Sequence, residues 1–221
     1  MQNFATPAPI AAVLDIPAGR VRFVAAERGD TTVRVGPADP AKSRDVKAAE
    51  QATVAFHDGV LRIEVAAKNQ YFGPSGAVEV TVELPAGSGV TAKAASVELR
   101  GVGRLGDVTV EGAHGEVVFD EAASLHLSAH AGDVSVGRLT GPAKITTGKG
   151  DIRIAEAASG NLVLSTQAGD ITVGAAPGVS ASLDAGTGFG RIRNALKNSE
   201  GTAALTIQAT TSYGDIDARS L

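Results

Sequence analysis

The chain of 221 residues, with 43% hydrophobic and 20% charged residues, is long enough to bury a core and lacks the composition of a disordered protein. Its net charge of −4, without any cluster in which Lys and Arg alternate with aromatic residues, excludes nucleic acid as an expected partner. The absence of Cys excludes disulfides and thiolate chemistry, and the 27 glycines indicate many tight turns.

The N-terminal stretch MQNFATPAPIAAVLDIPAG has no basic region, and Pro7, Pro9 and Pro17 interrupt its short apolar run. A signal peptide needs a basic region before an apolar segment, and a membrane span needs about 20 apolar residues. We therefore expect neither feature and predict a cytoplasmic location.

Residues 1–86 contain several short runs in which apolar and polar residues alternate, which is typical of strands with one buried face. These runs are GRVRFVA at 19–25, TTVRV at 31–35, TVAFHDGVLRIEV at 53–65 and AVEVTVELP at 77–85. Asp58 and Gly59 predict a two-residue hairpin turn. Residues 41–52 fit either a short helix or an edge strand, and residues 69–76 are predicted to form a loop. We expect this N-terminal β region to cap or extend the remainder with a mixed or antiparallel sheet.

Residues 87–221 repeat a Gly-Asp phrase that is followed by alternating apolar residues. It reads GDVSV at 132–136, GDIRI at 150–154, GDITV at 169–173 and GDIDA at 214–218. Equivalent turns recur at intervals of about 17 to 24 residues. The predicted turn residues are Gly132, Asp133, Gly150, Asp151, Gly169, Asp170, Gly190, Gly214 and Asp215. The predicted core column is Val134, Ile152, Ile171, Ile192 and Ile216.

Each repeat reads as strand, tight turn, strand and loop, and it is too short to bury a core alone. Stacking equivalent strands about 4.8 Å apart would place the apolar columns inside. The sequence therefore predicts an all-β, single-stranded β-solenoid of about seven rungs, in which residues 87–221 form one continuous domain with the N-terminal β region. Helical repeats lack the required periodicity, and a sandwich would need more hairpin signals.

The Gly-Asp phrase has a structural explanation that needs no ligand. Glycine supplies the positive φ of a tight turn, and aspartate can accept a hydrogen bond from a backbone N–H of its own turn. A calcium ladder would explain stacked carboxylates, but one Asp per turn provides too few oxygen ligands. We predict no metal and no cofactor.

Two further columns precede the turns. Four residues before the Asp position stand Thr147, Thr166, Thr187 and Thr211, whose hydroxyls we expect to satisfy the bend. Phe189 and Tyr213 are predicted to stack on each other.

Catalytic residues are not predicted. His126 and His130 lie about 13 Å apart along one strand, and neither a nucleophile motif nor a paired-carboxylate cluster is present. His57 and His114 are expected in turns. A glycan-active solenoid enzyme remains an alternative, with His126, His130 and Arg153 as its testable residues.

The phrases TGKGDIRI at 147–154 and TQAGDITV at 166–173 closely resemble the repeats of the bacterial putative-adhesin β-strand-repeat family, whose members are otherwise domains of unknown function. The resemblance covers residues 85–221 and, more loosely, the N-terminal third. It implies a β-solenoid, an association with the cell envelope for many members, and no catalytic residues.

We therefore predict a non-enzymatic scaffold or binding protein. A final strand that ends near Leu221 would leave unpaired backbone groups at the C-terminal rung, and we expect homo-oligomerisation through this edge. The loop NALKNSEG at 194–201 could fold over it instead. The alternative function is an exported adhesin or envelope-binding protein.

Overall fold

A computed structural model of the chain describes residues 1–65, 76–198 and 202–221. These residues are mostly β-strand, with one short helix, and the predicted all-β solenoid class is confirmed. The chain divides into two compact units, Met1–Glu116 and Val117–Leu221. The predicted division near residue 86 stays a prediction, and the predicted loop at 69–76 falls almost entirely outside the described residues.

The first unit contains seven strands and one helix among its described residues. They are β1 (Gln2–Ala5), β2 (Ala11–Ala26), β3 (Asp30–Pro37), α1 (Ser43–Glu50), β4 (Thr53–His57), β5 (Val60–Glu64), β6 (Val78–Pro85) and β7 (Gly89–His114).

In the first unit, strand β2 lies between β7 on one side and β5 and β6 on the other, all parallel to it. Strand β3 pairs antiparallel with β1 and β6, and β4 with β5, so the sheet is mixed, as expected. The predicted hairpin turn is present, with positive φ at Asp58 and Gly59.

Residues 43–50 are helical, and the buried Asp45 accepts a hydrogen bond from the backbone N–H of Ala77 at 3.0 Å. No helix in the described ranges is long and apolar enough to cross a membrane.

The second unit contains ten strands among its described residues. They are β8 (Val117–Ala131), β9 (Val134–Leu139), β10 (Ala143–Lys149), β11 (Ile152–Ala157), β12 (Gly160–Ala168), β13 (Ile171–Ala175), β14 (Ala181–Phe189), β15 (Ile192–Ala195), β16 (Leu205–Tyr213) and β17 (Ile216–Ser220).

These strands form two parallel sheets. Each full turn of the solenoid, which we call a coil, contributes one strand to each sheet. The first sheet has the order β8-β10-β12-β16-β14. The second sheet has the order β8-β9-β11-β13-β17-β15, in which β8 takes part through its N-terminal portion. The Gly-Asp turns connect the two sheets at one corner.

The order of the last two coils differs from their order in the chain. Residues 205–220, the C-terminal coil, lie between the coil of β12 and β13 and the coil of residues 181–195. The expectation that the C-terminal rung forms the exposed edge is therefore corrected. Among the described residues no strand lies beyond residues 181–195, which we name the end coil. This order keeps the turn aspartates Asp133, Asp151, Asp170 and Asp215 in one unbroken column, with Arg191 at its end.

The predicted core column is present, in the order Val134, Ile152, Ile171, Ile216, Ile192. The first four side chains are buried, and each contributes about 2–3 kcal/mol by leaving water. Ile192 is 45% exposed because it belongs to the end coil, so its assignment to the core is corrected. Asn194, the next inward position of the same strand, is also exposed.

Candidate functional site

The aspartates of the turn column link successive coils through hydrogen bonds. Asp133 Oδ1 accepts from the N–H of Asp151 at 2.9 Å, and Asp151 Oδ1 accepts from the N–H of Asp170 at 2.8 Å. Asp170 Oδ1 in turn accepts from the N–H of Asp215 at 2.7 Å. The expected bond within the same turn is thereby corrected: each carboxylate binds the backbone of the next coil.

Threonine hydroxyls make a second set of bonds between coils. Thr166 Oγ1 donates to the carbonyl oxygen of Gly150 at 3.1 Å, and Thr211 Oγ1 donates to that of Gly169 at 3.0 Å. Thr187 Oγ1 of the end coil donates to Gly214 O at 2.9 Å. Thr147 instead donates to the carbonyl of Lys149 in its own coil, at 3.2 Å. The hydroxyls of Thr166, Thr211 and Thr187 thereby satisfy turn carbonyls of a neighbouring coil, whereas Lys149 O also accepts the backbone N–H of Gly132, at 2.8 Å.

The turn glycines are required for two reasons. Positive φ values of 125°, 134°, 153° and 151° occur at Gly132, Gly150, Gly169 and Gly214. A Cβ on Gly169 would also overlap the carbonyl oxygen of Gly150 in the preceding coil. Gly190 shares only the close approach, since a Cβ there would overlap Gly214 O.

The column ends at Arg191, which stands at the aspartate position of the end coil. Its N–H donates to Asp215 Oδ1 at 2.9 Å, and its guanidinium lies 3.1 Å from Asp215 Oδ2. The backbone hydrogen bond, and then the guanidinium, hold the pKa of Asp215 below its ordinary value.

This geometry assigns the carboxylates to hydrogen bonds with the backbone. Within the described ranges, no three His, Asp or Glu side chains are grouped as a metal site would require. The stacked Asp133, Asp151 and Asp170 are solvated and bound to N–H groups, so their mutual repulsion needs no cation to offset it.

The three residues named for the alternative of a glycan-active enzyme, His126, His130 and Arg153, do not lie together in one site. His126 and His130 project outward from the first sheet, whereas Arg153 projects outward from the second sheet. His114 is exposed, and His57 is an exposed neighbour of Asp58, with 3.1 Å between His57 Nδ1 and Asp58 Oδ2.

The end coil exposes apolar groups. Phe189 and Tyr213 stack as predicted, with ring centroids 5.1 Å apart and an interplanar angle of 5°. They are 70% and 60% exposed. In the described part of the chain, no strand pairs with the outer edge of β14 or β15, although Ala181 N–H donates to Lys197 O at 3.0 Å.

The outer faces of the two sheets differ in charge, a feature that the sequence analysis missed. On the second sheet, one outward column reads Ser135, Arg153, Thr172, Asp217 and Arg193, and Arg138 lies 3.4 Å from Glu156 beside it. On the first sheet, the corresponding central column reads Ser128, Thr146, Ser165, Thr210 and Gly186. Only the register of the strands brings these distant hydroxyl residues together.

Comparison with known proteins gives a family and a fold. A family model described as Toastrack DUF4097 matches residues 13–220, and no curated protein matches the chain. A solved structure of a putative adhesin from Bacteroides fragilis aligns with a TM-score of 0.53 at 14% identity, covering 98% of this chain and 95% of that chain. The predicted resemblance to putative adhesins is confirmed.

Two further solved structures align over nearly the full chain. A putative cell adhesion protein from Clostridium sporogenes has a TM-score of 0.38 at 12% identity, covering 100% of this chain and 98% of that chain. A putative adhesin from Parabacteroides distasonis has a TM-score of 0.41 at 11% identity, with coverages of 98% and 95%.

Proposed function

The chain belongs to the Toastrack DUF4097 family, and on this basis we propose that it is a non-enzymatic scaffold or binding protein that self-associates through its end coil. The solenoid of the second unit supplies stiffness, because backbone hydrogen bonds join its neighbouring coils and the Asp and Thr bonds around the Gly-Asp turns add to them. The proposed location remains the cytoplasm.

The observation that carries self-association is the unfinished stacking at the end coil. In inner coils, the N–H groups of Gly150 and Ile152 donate to the next coil. Their equivalents at Gly190 and Ile192 have no such acceptor in the described part of the chain, and Ile192 is half-exposed. Unpaired strand edges that carry apolar side chains are typical sites of association.

Multi-angle light scattering over a range of concentrations tests the proposal. The wild-type protein should form dimers or larger assemblies, and Ile192→Arg should shift them to monomers. Thr172→Arg, on the outer face of the second sheet, serves as the control and should leave the assembly unchanged. A wild-type protein that stays monomeric at high concentration contradicts self-association.

The second candidate function is adhesion or binding at the cell envelope. Its support is the likeness in fold to a Bacteroides fragilis protein named as a putative adhesin. Fractionation of the native host separates the two candidates, because an envelope protein would sediment with membranes or appear outside the cell, whereas the leading proposal places it in the cytoplasm.

A further inference from the structure

The outer face of the first sheet is polar and almost uncharged. Three outward columns cross its strands. Their members are Asn161, Thr206 and Ser182; His126, Lys144, Val163, Gln208 and Asp184; and Ser128, Thr146, Ser165, Thr210 and Gly186. Lys144 and Asp184 are the charged members, and they have opposite signs. We name these three columns the hydroxyl face.

The hydroxyl face holds a dense array of donors and acceptors. The five strands span about 19 Å at the usual strand spacing, and the columns lie about 7 Å apart. Thr210 Oγ1 lies 3.2 Å from Ser165 Oγ. Within the described part of the chain, the Gln208 amide and the Thr146 hydroxyl have no partner, so they are free to bind a ligand.

Two exposed aromatic rings stand at one corner of this face. Phe189 and Tyr213 are the last residues of β14 and β16, three positions beyond Gly186 and Thr210, or about 10 Å along the strands. Tyr213 covers one face of the Phe189 ring, with 5.1 Å between centroids. The other face of Phe189 points beyond the end coil, where no described strand covers it.

From this combination we infer that the hydroxyl face binds a neutral polysaccharide, with one sugar ring stacked on Phe189. Hydroxyl and amide side chains each offer a donor and an acceptor, which matches the hydroxyls of a sugar chain. An aromatic ring offers a large, rigid apolar surface to the C–H face of a pyranose. The inference rests on the binding role proposed above and adds a site and a ligand class to it.

The charge distribution favours a neutral ligand over an anionic one. An acidic polysaccharide would require clustered Arg or Lys, and the arginines of this unit that project outward, such as Arg153 and Arg193, lie on the second sheet. A protein partner would normally bury a larger apolar centre than Val163 provides on the hydroxyl face. Binding should accordingly depend little on salt.

Native gel electrophoresis through gels that contain dextran, mannan or a soluble β-glucan provides the test, with heparin and polygalacturonate as acidic comparators. We expect at least one neutral polysaccharide to retard the wild-type protein, with little change from about 0.05 to about 0.5 M NaCl. Phe189→Ala, Thr146→Glu and Thr210→Glu should each weaken binding by about tenfold or more.

Thr172→Glu is the matched control, because it places the same charge on an outward strand position of the second sheet. It should bind as the wild type does, and thermal unfolding should show all variants folded. Failure of every neutral polysaccharide to retard the protein overturns the inference, as does equal weakening by Thr172→Glu. Light scattering on the same samples keeps the two proposals separate. A wild-type protein that assembles but binds no neutral polysaccharide contradicts only this inference, whereas a wild-type protein that binds but stays monomeric contradicts only self-association.

Discussion

Asp151 Oδ1 accepts a hydrogen bond at 2.8 Å from the backbone N–H of Asp170, which stands 19 residues later in the chain and one coil further in space. The equivalent bond, from a backbone N–H to the aspartate Oδ1 of the neighbouring coil, joins every pair of turns from Asp133 to Arg191. The aspartate of each Gly-Asp phrase is therefore a contact between coils, and it provides an acceptor where the parallel backbone ladder has none.

Replacement of Asp170 by Ala should destabilise the protein by about 1 kcal/mol, because the N–H of Asp215 loses a charged acceptor. Asp170→Asn should cost less, since an amide oxygen can still accept the bond. Urea unfolding measures both differences. Asp217→Ala, an outward aspartate of β17, is the control, and an equal loss in that variant would contradict the role of the ladder.

The glycine requirement predicts a large difference between two Gly→Ala substitutions. Gly169→Ala should cost a few kcal/mol, because φ is 153° and the new methyl group would overlap Gly150 O. Gly186→Ala should be nearly neutral, because no atom lies within 4 Å of a Cβ added at that position. The comparison is made by thermal or urea unfolding. Similar values for the two variants would mean that the turn is not packed as described.

The lowered pKa of Asp215 predicts that the stability of the fold decreases in acid. Its folded pKa lies below the ordinary value of 3.8, so its stabilising effect is complete above that value and is lost as the pH falls through the folded pKa. The Arg191→Ala variant keeps the backbone N–H, which is the largest cause of the shift. Carboxyl NMR titration should therefore show the pKa of Asp215 rising only part of the way. A return to the ordinary value would assign the whole effect to the guanidinium.

The order of the coils predicts unequal costs for two isoleucines. Ile216→Ala should cost about 3 kcal/mol, since coils cover the side chain on both sides, whereas Ile192→Ala should cost about 1 kcal/mol. Urea unfolding of the two variants provides the measurement. Coils stacked in sequence order would reverse the two values.

The sequence was sufficient to predict the strands, the turns and the solenoid, because burial alternates within each short segment. Ile152 and Ile171, for example, show their inward orientation through their immediate neighbours. The aromatic pair of Phe189 and Tyr213 was predictable from the repeat, because both residues stand two positions before the turn position and equivalent positions stack.

The coil order and the hydroxyl face were harder to predict, because both depend on which distant segments become neighbours. Two signals for the end coil were present: Arg191 replaces the aspartate, and Asn194 replaces an inward apolar residue. Both suit a coil that no described strand covers on its outer side. Thr146 and Ser165 are unremarkable outward residues in the sequence, and they form part of a surface only through the register between β10 and β12.

Engineered disulfides test the stacking order most directly, since the chain contains no Cys. Ser165 lies beside Thr210 in the structure, with Cα atoms about 5 Å apart, and Gly186 lies one coil further, about 10 Å from Ser165. A disulfide needs Cα atoms within about 7 Å. The variant Ser165→Cys/Thr210→Cys should form an intramolecular disulfide under mild oxidation, as seen by peptide mass mapping, and Ser165→Cys/Gly186→Cys should remain reduced. The opposite result would contradict the insertion of the C-terminal coil and the account of the end coil that depends on it.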